Sequence, residues 1–106
     1  MVEKENFEKL ILDYKKKISM KYNPEKIILF GSRARGDNLE NSDVDIIIVS
    51  DKFESMKWPR RLAEVSELWS GVVEIEPLCY TVREFEEKKR EIGIVSQAVK
   101  EGIRII

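Results

Sequence analysis

Apolar residues recur at three- and four-residue steps from Phe7 through Leu10, Ile11 and Tyr14 to Ile18, which is the spacing of one helix face. Lys15, Lys16 and Lys17 fall mostly on the opposite face and read as solvated surface, and Asn23-Pro24 closes the helix. The period then changes. Residues 26–30 (KIILF) are a short apolar run feeding Gly31-Ser32, which predicts a buried strand ending in a tight turn. Residues 33–42 are polar and contain Gly36-Asp37-Asn38, a loop signature. A second strand is predicted over 43–49, with an apolar stretch at Ile46, Ile47, Ile48 and Val49, and a connector over 51–59. Leu62, Val65, Leu68 and Trp69 restore helical spacing over 60–69, with Gly71 as its C-cap. Residues 72–80 predict a third strand, with Val73, Ile75 and Pro77 on one side and Glu74, Glu76 and Leu78 on the other. Thr81-Val82-Arg83-Glu84 is a capping box opening a helix that runs to about Arg90. A further helix spans about 92–101 and stops at Gly102, leaving 103–106 as a last short strand or an extended tail. This order of elements predicts an α+β fold, a mixed β-sheet covered by helices.

A length of 106 residues suits one domain, 1–106, and 42% hydrophobic residues suffice for a core. Nineteen Lys and Arg against twenty Asp and Glu leave a net charge of −1, so no global field holds a polyanion, and general nucleic-acid binding is disfavoured. The single cysteine, Cys79, lies in an apolar run and reads as a buried, inert thiol. The chain has no histidine, which excludes histidine metal sites and Ser-His-Asp chemistry. No apolar run has the length of a membrane span, and Met1–Glu5 does not read as a signal peptide, so the cytoplasm is the expected location.

The chemistry concentrates where the first strand meets the second. A glycine at the end of a buried strand lets backbone N–H groups approach an anion closely, and the Ser32 hydroxyl adds a donor. Arg33 and Arg35 offer charge-assisted bonds to the same group. A helix opening at this turn would add its positive end. Ten residues on, Asp43 and Asp45 stand at alternate positions and share a face. Two adjacent carboxylates at the mouth of an apolar strand repel unless a cation lies between them, and Mg²⁺ takes carboxylate and phosphate oxygens together. Glu74 and Glu76 are candidates for a third acid. Each element alone is commonplace; a solvent face, a turn or a loop cap would account for it. Their ordered conjunction is much less so.

The segment Gly31-Ser32-Arg33-Ala34-Arg35-Gly36, followed by Ser42-Asp43-Val44-Asp45, resembles the nucleotidyltransferase superfamily that includes polymerase β-like enzymes. It is most similar to the minimal nucleotidyltransferases, and the likeness runs from Lys26 onward. The resemblance implies a polymerase β-like palm fold, with two Mg²⁺ ions held by Asp43, Asp45 and a third acid. It selects Glu76 for that acid, five residues before Thr81, with Glu74 as runner-up. Many relatives have Asp at that position. It also implies that Gly31 and Ser32 hold the triphosphate of ATP or another NTP. The implied reaction is attack by an acceptor hydroxyl on the α-phosphate, with pyrophosphate leaving and Glu76 orienting or deprotonating the nucleophile. The implied acceptor is a tyrosine of a helical partner of the HEPN class, in a toxin–antitoxin pair. The alternative is an antitoxin or nucleotide-binding subunit that acts by partner binding with little catalysis. Trp58 and Trp69 could contribute to a partner surface, although core or helix packing is the simpler role for each. A homo-oligomer is compatible with all of these readings.

Overall fold

The computed structural model describes residues 6–106, so the reading of Met1–Glu5 lies outside the described residues. The chain runs α1 (Phe7–Tyr22), β1 (Lys26–Phe30), α2 (Ser32–Arg35), β2 (Val44–Val49), a 3-10 turn (Asp51–Phe53), α3 (Trp58–Glu67), β3 (Ile75–Tyr80), α4 (Val82–Arg90), α5 (Ile94–Glu101) and β4 (Ile103–Arg104). The four strands form one mixed sheet in the order β3-β2-β1-β4. β1 is antiparallel to β2 and β4, whereas β2 and β3 are parallel and joined across α3. Among the described residues no helix is long and apolar enough to cross a membrane.

Alternation along the strands divides the core in two. Ile27, Ile46, Ile48 and Cys79 pack on one face against Tyr14, Ile18 and Tyr22 of α1 and Val65 of α3. Ile28, Ile47, Val49 and Tyr80 pack on the other against Phe85 of α4 and Val95 and Ala98 of α5. Both faces of β2 are therefore covered, which is why its sequence is an apolar run rather than an alternation.

Several boundaries differ from the sequence expectation, each for a local reason. Part of the expected 33–42 loop is α2, a single turn too short to show a period. α3 begins at Trp58 because Pro59 is well suited to the first helical turn, and it stops at Glu67. Beyond it Trp69 turns inward, edge-on to Tyr14 at 5.5 Å, and its indole N–H donates to the Val73 carbonyl at 2.9 Å. Gly71 is not the helix cap; it lies against the Trp69 indole, where there is no room for a Cβ. β3 starts only at Ile75, so Glu74 precedes it, and α5 starts at Ile94, leaving Ile92 fully exposed. The capping box forms as expected: Thr81 Oγ1 accepts from the Glu84 N–H at 3.2 Å, and Glu84 Oε1 accepts from the Thr81 N–H at 2.8 Å. The chain end does form a short strand, β4.

Candidate active site

Three side chains line up across the sheet where β1 ends and β2 and β3 begin. Phe30 is the register partner of Asp45, and Asp45 is the register partner of Glu76. By strand alternation all three point to the face carrying α4 and α5. Glu76 is exposed there and Asp45 half-buried. Asp43 stands one residue before β2 and is exposed.

Glu76 senses the other two acids. The Glu76 carboxyl is raised above its ordinary range by desolvation first, then by Asp45 and Asp43 through hydrogen bonding and charge. Among the described residues, no three acidic side chains are gathered into a ready coordination shell. The donor set nevertheless suits a hard divalent cation: carboxylate oxygens only, on adjoining strand ends, in mutual repulsion that a cation would relieve.

The turn before α2 completes the site. Gly31 has φ 75° and ψ −157°, a conformation reserved for glycine, and a Cβ there would collide with Asp45 Oδ2. The backbone thus lies directly against the Asp45 carboxylate. Ser32 opens α2, half-exposed. Arg35 is exposed and pairs with Asp37 at 3.2 Å. The guanidinium of Arg33 instead turns into the following loop, donating to the carbonyls of Ser42 and Glu40. A cleft of about 220 Å³ opens beside Asp45, bounded by Phe30, Gly31 and Arg35 on one side and Gln97 and Glu101 of α5 on the other. Nothing in the sequence marks Gln97 and Glu101, because two polar residues four apart on a helix look like solvent face.

Other expected residues fall as follows. Glu74 contributes its backbone, its carbonyl accepting the Val44 N–H at 2.9 Å, and its side chain is exposed outside the strand. Cys79 is buried, and burial pushes its thiol up to about 12. Trp69 packs on Tyr14 and Phe7 within the fold; Trp58 packs on Tyr80 at 5.4 Å and stays partly exposed.

Known proteins are similar to this chain in sequence and fold. The family described as "Nucleotidyltransferase domain" matches residues 9–105. A Methanocaldococcus jannaschii protein named "Putative protein adenylyltransferase" is 35% identical over 75 residues, covering 67% of this chain and 76% of that protein. A second protein of that organism with the same description is 52% identical over 48 residues, 43% of this chain and 48% of its own length. A Sulfolobus solfataricus crystal structure, described as that of a "putative nucleotidyltransferase", superposes with a TM-score of 0.64 at 27% identity, over 91% of this chain and 76% of the other. The family match takes in α2 and the strands that bear Asp45 and Glu76, as well as the helices that cover them. By its sequence and its fold, this chain belongs to the nucleotidyltransferase domain family.

Proposed function

We propose that the chain moves an adenylyl group from ATP onto a hydroxyl of a protein acceptor, with Asp43, Asp45 and Glu76 holding Mg²⁺. The observation that carries this reading is the side-by-side register of Asp45 and Glu76 beneath the Gly31 backbone, with Asp43 adjoining. The two archaeal relatives named as protein adenylyltransferases support the choice of reaction.

Gly31 backbone and Ser32 Oγ bind triphosphate oxygens, and Arg35 at the rim of the cleft neutralises part of their charge. Asp43 and Asp45 hold Mg²⁺, two ions by the family resemblance. When bound, the metal supplies charge neutralisation at the phosphates and a more acidic acceptor hydroxyl. Glu76, exposed and in register with Asp45, is placed to take or orient the acceptor's proton as well as to bind metal. The acceptor oxygen bonds to the α-phosphorus, the bond to the bridging oxygen of pyrophosphate breaks, and pyrophosphate leaves. For the acceptor we favour a tyrosine on a small helical HEPN-type partner, on the strength of the resemblance to minimal nucleotidyltransferases.

The test is transfer of label from ATP carrying a radioactive α-phosphate to the purified partner, with Mg²⁺ or with EDTA. Label should appear only with Mg²⁺ and should be lost in Asp43→Asn and Asp45→Asn variants that still bind the partner. Retention of full transfer by Asp45→Asn would sink the assignment.

A further inference from the structure

Asp43 lies outside any strand, yet the peptide groups on both sides of it are held. On the leading side Arg33 grips the Ser42 carbonyl with two donors, Nε at 3.0 Å and Nη2 at 2.7 Å, while Nη2 also reaches the Glu40 carbonyl at 3.2 Å. On the trailing side the Val44 N–H donates to the Glu74 carbonyl at 2.9 Å. Within the loop the Leu39 N–H donates to Ser42 Oγ at 2.9 Å, and the Ser42 N–H to the Leu39 carbonyl at 3.1 Å. Arg33 itself is backed by α1, its Cζ lying 4.7 Å from the centroid of the Phe7 ring.

We infer that Arg33 is a positioning residue: through the Ser42 carbonyl, and braced by Phe7, it holds Asp43 toward Asp45 and Glu76 instead of contacting phosphate. The need for such a device follows from the charges. Asp45 and Glu76 are fixed by strand pairing, whereas Asp43 ends a polar loop, and repulsion within the cluster would push the freest acid outward. Two donors from one rigid plane on one carbonyl set its direction as well as its distance, which a lysine ammonium cannot do. The ring beneath the guanidinium limits where that plane can swing. The function of Asp43 rests on the reading proposed above; the local clamp does not.

The test uses the full chain and three variants, Arg33→Gln, Arg33→Lys and Phe7→Leu, read by amide hydrogen exchange, Mn²⁺ titration and ATP binding in EDTA. In Arg33→Gln the Leu39 and Ser42 amides should exchange about tenfold faster, while amides within β2 keep their protection. Mn²⁺ affinity should fall about tenfold, the scale seen when a group supporting a metal ligand is lost. ATP binding in EDTA should be unchanged, and at saturating metal the loss should fall on kcat rather than on KM for ATP. Arg33→Lys should be intermediate, and Phe7→Leu should give a smaller effect of the same kind. If Arg33→Gln does not fold, the other two variants carry the same readouts. Unchanged exchange at Leu39 and Ser42, or weakened ATP binding in EDTA with Mn²⁺ affinity intact, would overturn the inference. A wild-type chain that binds no Mn²⁺ would overturn the proposed function, with the exchange data still deciding the clamp.

Discussion

Asp45 and Glu76 are register partners across the parallel β2–β3 pairing, and the cost of that proximity falls on Glu76, whose carboxyl is raised by desolvation, Asp45 and Asp43 in that order. A raised carboxyl in the folded state means that the native protein binds more protons than the unfolded chain between the ordinary glutamate range and the raised value. Stability therefore falls as pH rises through that window and levels off above it. Without metal at pH 8, Glu76→Gln should raise Tm by roughly 1–4 °C, the scale of partly screened surface repulsion. At a pH well below the ordinary glutamate range, the gain should vanish. Mg²⁺ should stabilise the wild type and much less the variant, as thermal melts with and without EDTA would show.

Gly31 makes the neighbouring constraint. Alanine there meets both the φ of 75° and the Asp45 carboxylate, so Gly31→Ala should cost about 1–3 kcal/mol of stability. Transfer activity should fall much further, by about a hundredfold, because relief of the collision displaces the carboxylate proposed to hold the metal. Denaturant titration beside the labelled-ATP assay separates the two losses. A variant with wild-type transfer would show that the Gly31–Asp45 contact is dispensable.

Arg61 is buried, with four donated bonds. Nε reaches the Met56 carbonyl at 2.9 Å, Nη1 the Cys79 carbonyl at 3.1 Å and Glu84 Oε1 at 2.6 Å, and Nη2 Glu84 Oε2 at 3.4 Å. Burial raises the Glu84 carboxyl, but Arg61 and the Thr81 N–H outweigh it and leave it lowered. Arg61→Met should cost about 3–5 kcal/mol, since two buried carbonyls and a carboxylate lose their donor. Arg61→Lys should recover little, for one ammonium cannot span acceptors on three sides. Urea unfolding measures both.

Tyr22 and Glu64 tie α1 to α3. The Tyr22 hydroxyl donates to Glu64 Oε1 at 2.7 Å, and with Arg60 and Lys21 it lowers the Glu64 carboxyl to about 2. A depressed carboxyl contributes stability that is present above its unfolded value and lost as pH falls through the folded one. The Tm gap between wild type and Tyr22→Phe should therefore hold steady above about pH 5 and narrow between there and pH 2. A gap that widened on acidification would contradict this linkage.

What could be read from the sequence has a physical boundary. Gly31 and Asp45 were legible because each stands beside a strand end, where an apolar run stops, whereas Glu76 was chosen over Glu74 only by the family resemblance. Glu74 and Glu76 could not be separated by alternation, which gives both the same face. The strand starts at Ile75, and only Glu76 gains a register partner. Arg33 and Arg35 looked equivalent beside Gly31-Ser32, yet Arg33 binds backbone carbonyls, and a carbonyl carries no residue identity to read. Trp69, just past the end of α3, packs on Tyr14, 55 positions earlier, a contact that no window of local sequence contains.

The β2–β3 pairing also sets an order of assembly. Gly31 follows β1 and Asp45 lies on β2, its antiparallel neighbour, which is nearer in sequence than β3, so their half of the site needs only comparatively local closure. Glu76 lies beyond a crossover through α3, so its closure spans more chain and should come later. A nascent chain released only as far as Ser50 already holds every element of the Gly31–Asp45 hairpin. The full charge repulsion arises only when β3 docks, at the same step that brings in Glu76, the third of the proposed metal ligands. The strand that completes the cluster is thus also the one whose docking a divalent cation should favour most.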